Sequence, residues 1–298
     1  MTRLPIHHEV SPAMQKHPTH ILIAGCGDLG CALAALLLNT GHKVSALRRS
    51  DSALPHGAQS LRGDVTQPAT LQNLAALKPD ILVYCASASA QTDDSYRAIY
   101  VDGLRNVLAE LNNSHNLRHV FFVSSTRVYG QPSDELLNEN CPAQAADFGG
   151  ERLLQAEHLL KNLLCPGTAL RLSGIYGPGR ERMLKLARQP QSWPQKNTWS
   201  NRIHRDDAAA FIAFLIERVI NMSAVNDCYI VTDNQPATQY EVLLWLAAQL
   251  AIDTNAVTVP PITGGKRLSN AKMRACGFEL RYKNFKEGYG ELLQATGD

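Results

Sequence analysis

Gly25-Cys26-Gly27-Asp28-Leu29-Gly30 has the spacing G-x-G-x-x-G, and its setting gives the pattern meaning. The aliphatic run 20–24 (HILIA) precedes it, and an Ala/Leu-rich run over 29–39 follows. A strand, a tight turn and a helix start are thus written in succession. The first glycine permits the turn, the second lets a phosphate approach the backbone, and the third lets helix and strand pack closely. Unpaired N–H groups and partial positive charge at the helix N-terminus complete a site for the pyrophosphate of a dinucleotide. Cys26, Asp28 and Leu29 belong to the same turn. A thiol there is either activated by the helix end or simply a small residue beneath the phosphates.

The end of the next apolar run, 43–47, decides which dinucleotide is favoured. A carboxylate at that place holds the ribose hydroxyls of NAD. This chain has Arg48-Arg49 instead, whose guanidiniums suit a 2′-phosphate. NADP is the expected cofactor, with NAD as the second choice.

These residues need elements to hold them. Strand-length apolar runs at 20–24, 43–47, 81–85, 120–124 and 168–172 alternate with helical patterns at 29–39, 71–77, 94–111 and 151–163. A helix at 208–219 and a strand at 228–231 follow. Strands buried on both faces and separated by helices predict an α/β fold: a Rossmann-type doubly wound parallel sheet. After 176 the texture becomes irregular, with Gly, Pro and two Trp, and only 240–250 reads as an amphipathic helix. The expected organisation is an N-terminal extension over 1–18 and a dinucleotide-binding domain over 19–176, completed by 201–233. A small C-terminal substrate domain is expected from 177–200 and 234–298.

Composition narrows the function classes. With 29 basic against 27 acidic residues, the net charge of +2 gives no basic groove for nucleic acid. The longest apolar stretch is about ten residues, too short to span a bilayer, and the first eighteen residues lack the apolar centre of a signal peptide. Seven cysteines without a C-x-x-C pair fit reduced thiols in a cytoplasm better than a disulfide framework. No clustered ligands predict a metal, and His7, His8, His17 and His20 read as a solvated tail. The expected partner is a small molecule, with no nucleic acid and no membrane, while a homodimer stays open.

Further stretches then carry a resemblance. They are Gly63-Asp64-Val65, Asp102-Gly103-Leu104-Arg105-Asn106, Ser124-Ser125-Thr126-Arg127-Val128-Tyr129-Gly130, 171–180 (RLSGIYGPGR) and 201–207 (NRIHRDD). With the glycine motif, and in this order, they make the chain resemble an atypical or extended short-chain dehydrogenase/reductase. The type is the NAD-dependent epimerase/dehydratase, or nucleoside-diphosphate-sugar epimerase. The resemblance covers about residues 19–290. It implies that Asp64 and Val65 meet the adenine and that Ala86 and Ser87 line the cofactor channel. It also implies that Ser125 hydrogen-bonds the reacting oxygen.

The family's Tyr-x-x-x-Lys pair, in which Tyr relays a proton as hydride moves, belongs near Asp147-Phe148-Gly149-Gly150-Glu151-Arg152-Leu153-Leu154. One register places Phe148 and Arg152 on the pair, the other Gly149 and Leu153. Neither supplies a tyrosine. Arg152 remains a cation for a ribose or phosphate, and Tyr129 and Tyr176 are weaker substitutes for the missing phenol. Gly174 stands where sugar-nucleotide epimerases commonly have Asn. Tyr129, Arg180 and Arg202 are the substrate-side candidates, with Arg182 and Lys196 as further cations. Two functions follow: an NADP-preferring reductase or epimerase/dehydratase acting on a small anionic or sugar-nucleotide-like substrate, or a dinucleotide-binding sensor that no longer catalyses.

Overall fold

The computed structural model describes residues 18–111, 116–131, 133 and 135–295. The N-terminal extension, with His7, His8 and His17, lies outside the described residues apart from its last residue.

The sheet starts with the aliphatic strand β1 (His20–Ala24), every residue of which is buried. His20 is therefore part of the sheet and not of a solvated tail, its Nε2 paired with Ser45 Oγ at 2.8 Å. The glycine turn leads into α1 (Asp28–Asn39), whose Leu29, Leu33 and Leu37 recur at helical spacing and face the sheet. Burying each contributes about 1.5–3 kcal/mol. Lys43–Arg48 forms β2 and Gln59–Arg62 forms β3. Ile81–Tyr84 is β4, His119–Ser125 is β5, Gly167–Leu172 is β6 and Cys228–Val231 is β7. All seven pair in parallel, in the order β7-β6-β5-β4-β1-β2-β3. The order reverses between β1 and β4, and open α/β sheets bind ligands at the carboxyl ends beside such a switch.

Two expectations about the elements change here. The strand β3 was not expected: its sequence QSLR is polar because it is an edge strand with mostly exposed side chains. The helix expected over 71–77 is a pair of 3₁₀ turns, Pro68–Thr70 and Ala75–Leu77. Leu71 and Leu74 are buried as the periodicity implies, but Lys78 at φ 47° ends the second turn before a helix can propagate.

The helix on the other face, α2, spans residues 93–111 and is not uniform. An α-helical turn (Asp93–Tyr96) passes into a π-helical stretch (Arg97–Gly103) and returns to α geometry (Leu104–Leu111). Next, α3 (Phe148–Leu159) begins three residues before its expected start because Asp147 caps it, accepting from Gly150 N at 3.0 Å. The helix α4 (Arg205–Ile220) is capped by His204, whose Nδ1 accepts from Asp206 N.

Two cores result, one on each face of the sheet. One gathers α1 and α4, the other α2 and α3. A third, smaller core joins Tyr176, Leu184, Trp193, Tyr240, Leu243, Phe285 and Tyr289. It rests on α5 (Gln239–Gln249) and α6 (Phe285–Ala295), which form the C-terminal region beside the sheet. Trp193 packs in this core against Tyr240.

Candidate functional site

A cavity of about 520 Å³ opens over the carboxyl ends of β1, β2, β4, β5 and β6. The whole glycine motif lines it, with Arg48, Arg49, Val65, Ala86, Ser87, Ser125 and Arg180. The glycines divide the work. Gly25 sits at φ +91° with the backbone of Ala86 pressed against it, so no side chain fits. A Cβ on Gly27 would meet nothing within 4 Å. That space belongs to the cavity, which Gly27 lines. Gly30 packs against Cys85 Sγ and Ile23.

Charge is arranged around this turn. Asp28 opens α1, and its carboxylate accepts from Arg180 Nε at 2.8 Å and from Arg205 Nη1 at 3.0 Å. Two guanidiniums therefore stand at the mouth of the phosphate turn. Burial pushes the Cys26 thiol far up, helped by Cys31 and Cys85, which removes the activated-thiolate reading. Burial also raises Cys85 to about 12, and its Sγ donates to Gly25 O.

At the end of β2, Arg48 is 8% exposed. Its Nε donates to Ser50 O at 2.6 Å and its Nη1 contacts Ala53 O at 3.4 Å. Its Nη2 is buried and has no partner among the described residues. Ser173 Oγ, also buried on the cavity wall, has none either. Unsatisfied buried donors are rare and costly, so both positions suit a polar ligand. Together with the open space over Gly27, they fit a dinucleotide.

At the opposite end Ser125 closes β5. Its Oγ accepts from Arg127 N at 3.2 Å, which leaves the hydroxyl proton for a ligand in the cavity. Ser124 instead donates to Glu157, which also pairs with Arg171 at 2.7 Å.

Seven candidate residues are not brought to the cavity, Tyr176, Arg182 and Lys196 among them. Asp64 turns its carboxylate onto Thr66 N and Oγ1, which closes its own turn. Tyr129 is buried, with its hydroxyl held by Arg171 Nη1 at 2.6 Å and its pKa raised to about 12, mainly by burial. Arg202 is buried beside Asp233 and donates to Ser200 Oγ. Arg152 is clamped by both oxygens of Asp93 at 2.7 Å.

The last placement bears on the two registers. On α3 it is Leu153 that faces the cavity, with Arg152 turned aside. Of the two registers, that of Gly149 and Leu153 turns one residue, Leu153, to the cavity, and that of Phe148 and Arg152 turns neither. Over Gly149 lies the Arg127 guanidinium, which a Cβ there would overlap. Arg127 is held between the rings of Tyr96 and Phe148 at 5.0 and 5.2 Å, and pairs with Asp147 at 2.9 Å. The spacing Tyr-x-x-x-Lys does occur once, at Tyr282 and Lys286. Both lie outside the cavity, Tyr282 against His204 and Lys286 against Phe285.

Sequence reasoning missed Ser173, Arg205, Tyr100 and Lys266. Ser173 directly follows β6, next to Gly174. Tyr100 lines the cavity from the π-helical stretch of α2. Lys266 comes from the C-terminal region and donates to Tyr129 O, and burial lowers its pKa to about 8. Nothing in its sequence neighbourhood announces that contact.

Among the described residues no group of His, Cys, Asp or Glu could hold a metal, and no helix is long and apolar enough to cross a membrane.

Comparisons with known proteins agree with this geometry. The model of the NAD dependent epimerase/dehydratase family matches residues 21–227. A candidate NAD-dependent epimerase/dehydratase from Methylobacillus flagellatus is 49% identical, with 95% of this chain and 100% of that chain covered and a TM-score of 0.87. At 17% identity, the UDP-glucose 4-epimerase of Thermus thermophilus, solved with NAD, shares the fold with a TM-score of 0.74. That match covers 93% of this chain and 98% of the epimerase. WbmG of Bordetella bronchiseptica, solved with NAD and UDP, is 18% identical with a TM-score of 0.76 over 94% of this chain and 96% of its own. No curated protein matches the chain. A glycine turn, a switch-point cavity and a family match over most of the chain converge: the protein belongs to the NAD-dependent epimerase/dehydratase family.

Proposed function

We propose that this protein is an NADP-preferring reductase or epimerase/dehydratase of the atypical short-chain dehydrogenase/reductase type, acting on a small anionic or sugar-nucleotide-like substrate. The observation that carries the cofactor choice is the unpartnered, buried Nη2 of Arg48 at the end of β2. Arg49 stands beside it on the cavity wall. Gly27, the N–H groups at the start of α1 and Arg180 would hold the pyrophosphate. Val65 and Gly63 wall the adenine end, and Ala86 and Ser87 border the channel toward Ser125. When bound, the nicotinamide supplies or accepts hydride. Ser125 Oγ–H then donates to the reacting oxygen and holds it in place. The substrate enters between the sheet and the C-terminal region.

The preference is read by fluorescence titration with NADPH and NADH. One charge-assisted contact of roughly 1.5–3 kcal/mol corresponds to about ten- to a hundredfold tighter NADPH binding. Because Arg48 is buried, salt erodes only the part due to exposed Arg49. Arg48→Asp reverses or abolishes the preference. Equal affinities in the parent protein would refute the assignment. A second reading, a sensor that binds the dinucleotide without turnover, is favoured by one observation: α3, which turns Leu153 to the cavity, contains no tyrosine. A protein that binds NADPH but turns over no member of a sugar-nucleotide panel supports that reading.

A further inference from the structure

Proton transfer at the Ser125 end needs a group able to carry a proton, and the cavity wall offers few. Asp28 is at the other end, neutralised by Arg180 and Arg205. Cys26 and Cys85 are held as thiols by burial and surround the glycine turn. Arg48, Arg49 and Arg180 are guanidiniums, which do not serve as proton relays. No His, Lys or Glu lines the cavity among the described residues. Tyr100 is the one phenol that does.

Its position is specific. The ring lies 6.5 Å from Phe122, three residues before Ser125 on β5, and 5.1 Å from Tyr96. The Tyr96 ring in turn meets Phe148 at 5.5 Å and lies under Arg127. Tyr100 therefore stands between the end of β5 and the start of α3. It is delivered there by the π-helical stretch Arg97–Gly103. Such stretches re-aim side chains from one face of a helix and recur at functional sites.

We propose that Tyr100 is the proton-carrying residue of this site, with Ser125 as its hydrogen-bonding partner on the substrate oxygen. The proposal rests on the dinucleotide reading above. For an alcohol substrate, the carbon's C–H electron pair leaves as hydride to the oxidised dinucleotide. The substrate O–H bond breaks, its proton passes to the ionised Oη of Tyr100, and the carbonyl double bond forms. Reduction reverses each transfer, with Tyr100 returning the proton. Burial raises the Tyr100 pKa, while the Ala88 N–H and the Arg127 guanidinium act in the opposite direction and Tyr96 adds to the rise. Arg127, lying over Gly149 where the family's tyrosine would stand, thereby supplies positive charge to the phenol that replaces it.

The test needs no knowledge of the substrate. Tyrosinate absorbance is titrated with saturating NADP⁺ and, separately, with saturating NADPH. The positive ring of the oxidised form lowers the midpoint of one tyrosine by about one unit or more relative to the reduced form, as an opposite charge a few ångströms away does. Tyr100→Phe keeps the ring that packs on Phe122 and Tyr96. It retains binding of both dinucleotides and abolishes this difference, whereas Ser125→Ala leaves the difference in place. The proposal is overturned if the difference persists in Tyr100→Phe, or if it is absent from the parent protein although both dinucleotides bind. If neither dinucleotide binds, the functional reading fails first and this proposal with it.

Discussion

At Gly25 an added Cβ would overlap the Ala86 backbone, and a φ of +91° already disfavours any side chain. At Gly27 the same addition would project into open cavity from a backbone of negative φ. The two glycines therefore separate folding from binding. Gly27→Val is expected to keep the unfolding midpoint of the parent while losing dinucleotide affinity by at least about tenfold, the scale of one lost contact. Gly25→Val is expected to unfold more easily. A folded Gly27→Val protein with full affinity would remove the turn from the site. Ser125→Ala tests the other end: on any sugar nucleotide that is turned over, kcat falls while dinucleotide affinity is spared. An active parent indifferent to this change would take Ser125 out of the chemistry.

The start of α3 is where a single element changes the reading of the family's pair. The Asp147 cap and the Arg127 guanidinium fix the rotation of the helix, which turns Leu153 to the cavity and Arg152 to Asp93. Burial opposes ionisation of Asp147, yet the Gly150 N–H and Arg127 hold its carboxyl below the ordinary value. This stabilisation is present above the unfolded pKa and is lost as pH falls through the folded one. Asp147→Ala should cost about 1 kcal/mol, the usual worth of a cap, in denaturant unfolding at neutral pH and less in acid. The helix orientation also makes a prediction about activity. Rebuilding the pair requires Gly149→Tyr and Leu153→Lys together with Arg127→Ala to clear the space. Phe148→Tyr with Arg152→Lys only breaks the Asp93 clamp. Hydride transfer gained by the second set and not the first, followed by dinucleotide absorbance, would show that the helix is rotated otherwise.

On the scale of the molecule, the C-terminal region joins the sheet through a buried polar cluster. Asp207 accepts from the backbone of Arg281 and Tyr282, and Asn270 reaches Thr232 O. Asp233 belongs to this junction, with one carboxylate oxygen unpartnered among the described residues. Burial pushes its pKa up to about 7, against the Gln235 N–H and Arg202. A raised carboxyl pKa means that the folded state holds a proton which the unfolded state has released. Stability therefore declines as pH rises from the unfolded value toward about 7 and levels off above it. Asp233→Asn is expected to flatten that decline and to gain on the order of a few kcal/mol at pH near 8, by thermal unfolding. An unchanged pH profile would place the charge elsewhere.

Contiguous residues determined the parts of this protein that depend on local rules. HILIA, the glycine turn and the Leu29–Leu33–Leu37 stripe specify strand, turn and helix among neighbours in the chain, so the parallel α/β core was legible. The phosphate turn and the basic end of β2 were legible for the same reason. Edge strand β3 was not, because an exposed strand carries no apolar signature. Nor was the direction of each site side chain. Arg152 and Leu153 are adjacent in sequence, and only packing against Asp93 and Arg127 decides which of them meets the cavity. Tyr100 and Ser173 reach the cavity through a π-helical stretch and the turn after a strand. Arg202, one of many surface-like cations in the sequence, is buried because Asp233 and Tyr289 close over it. Local patterns encode which elements form, whereas long-range contacts determine which face of an element a ligand meets.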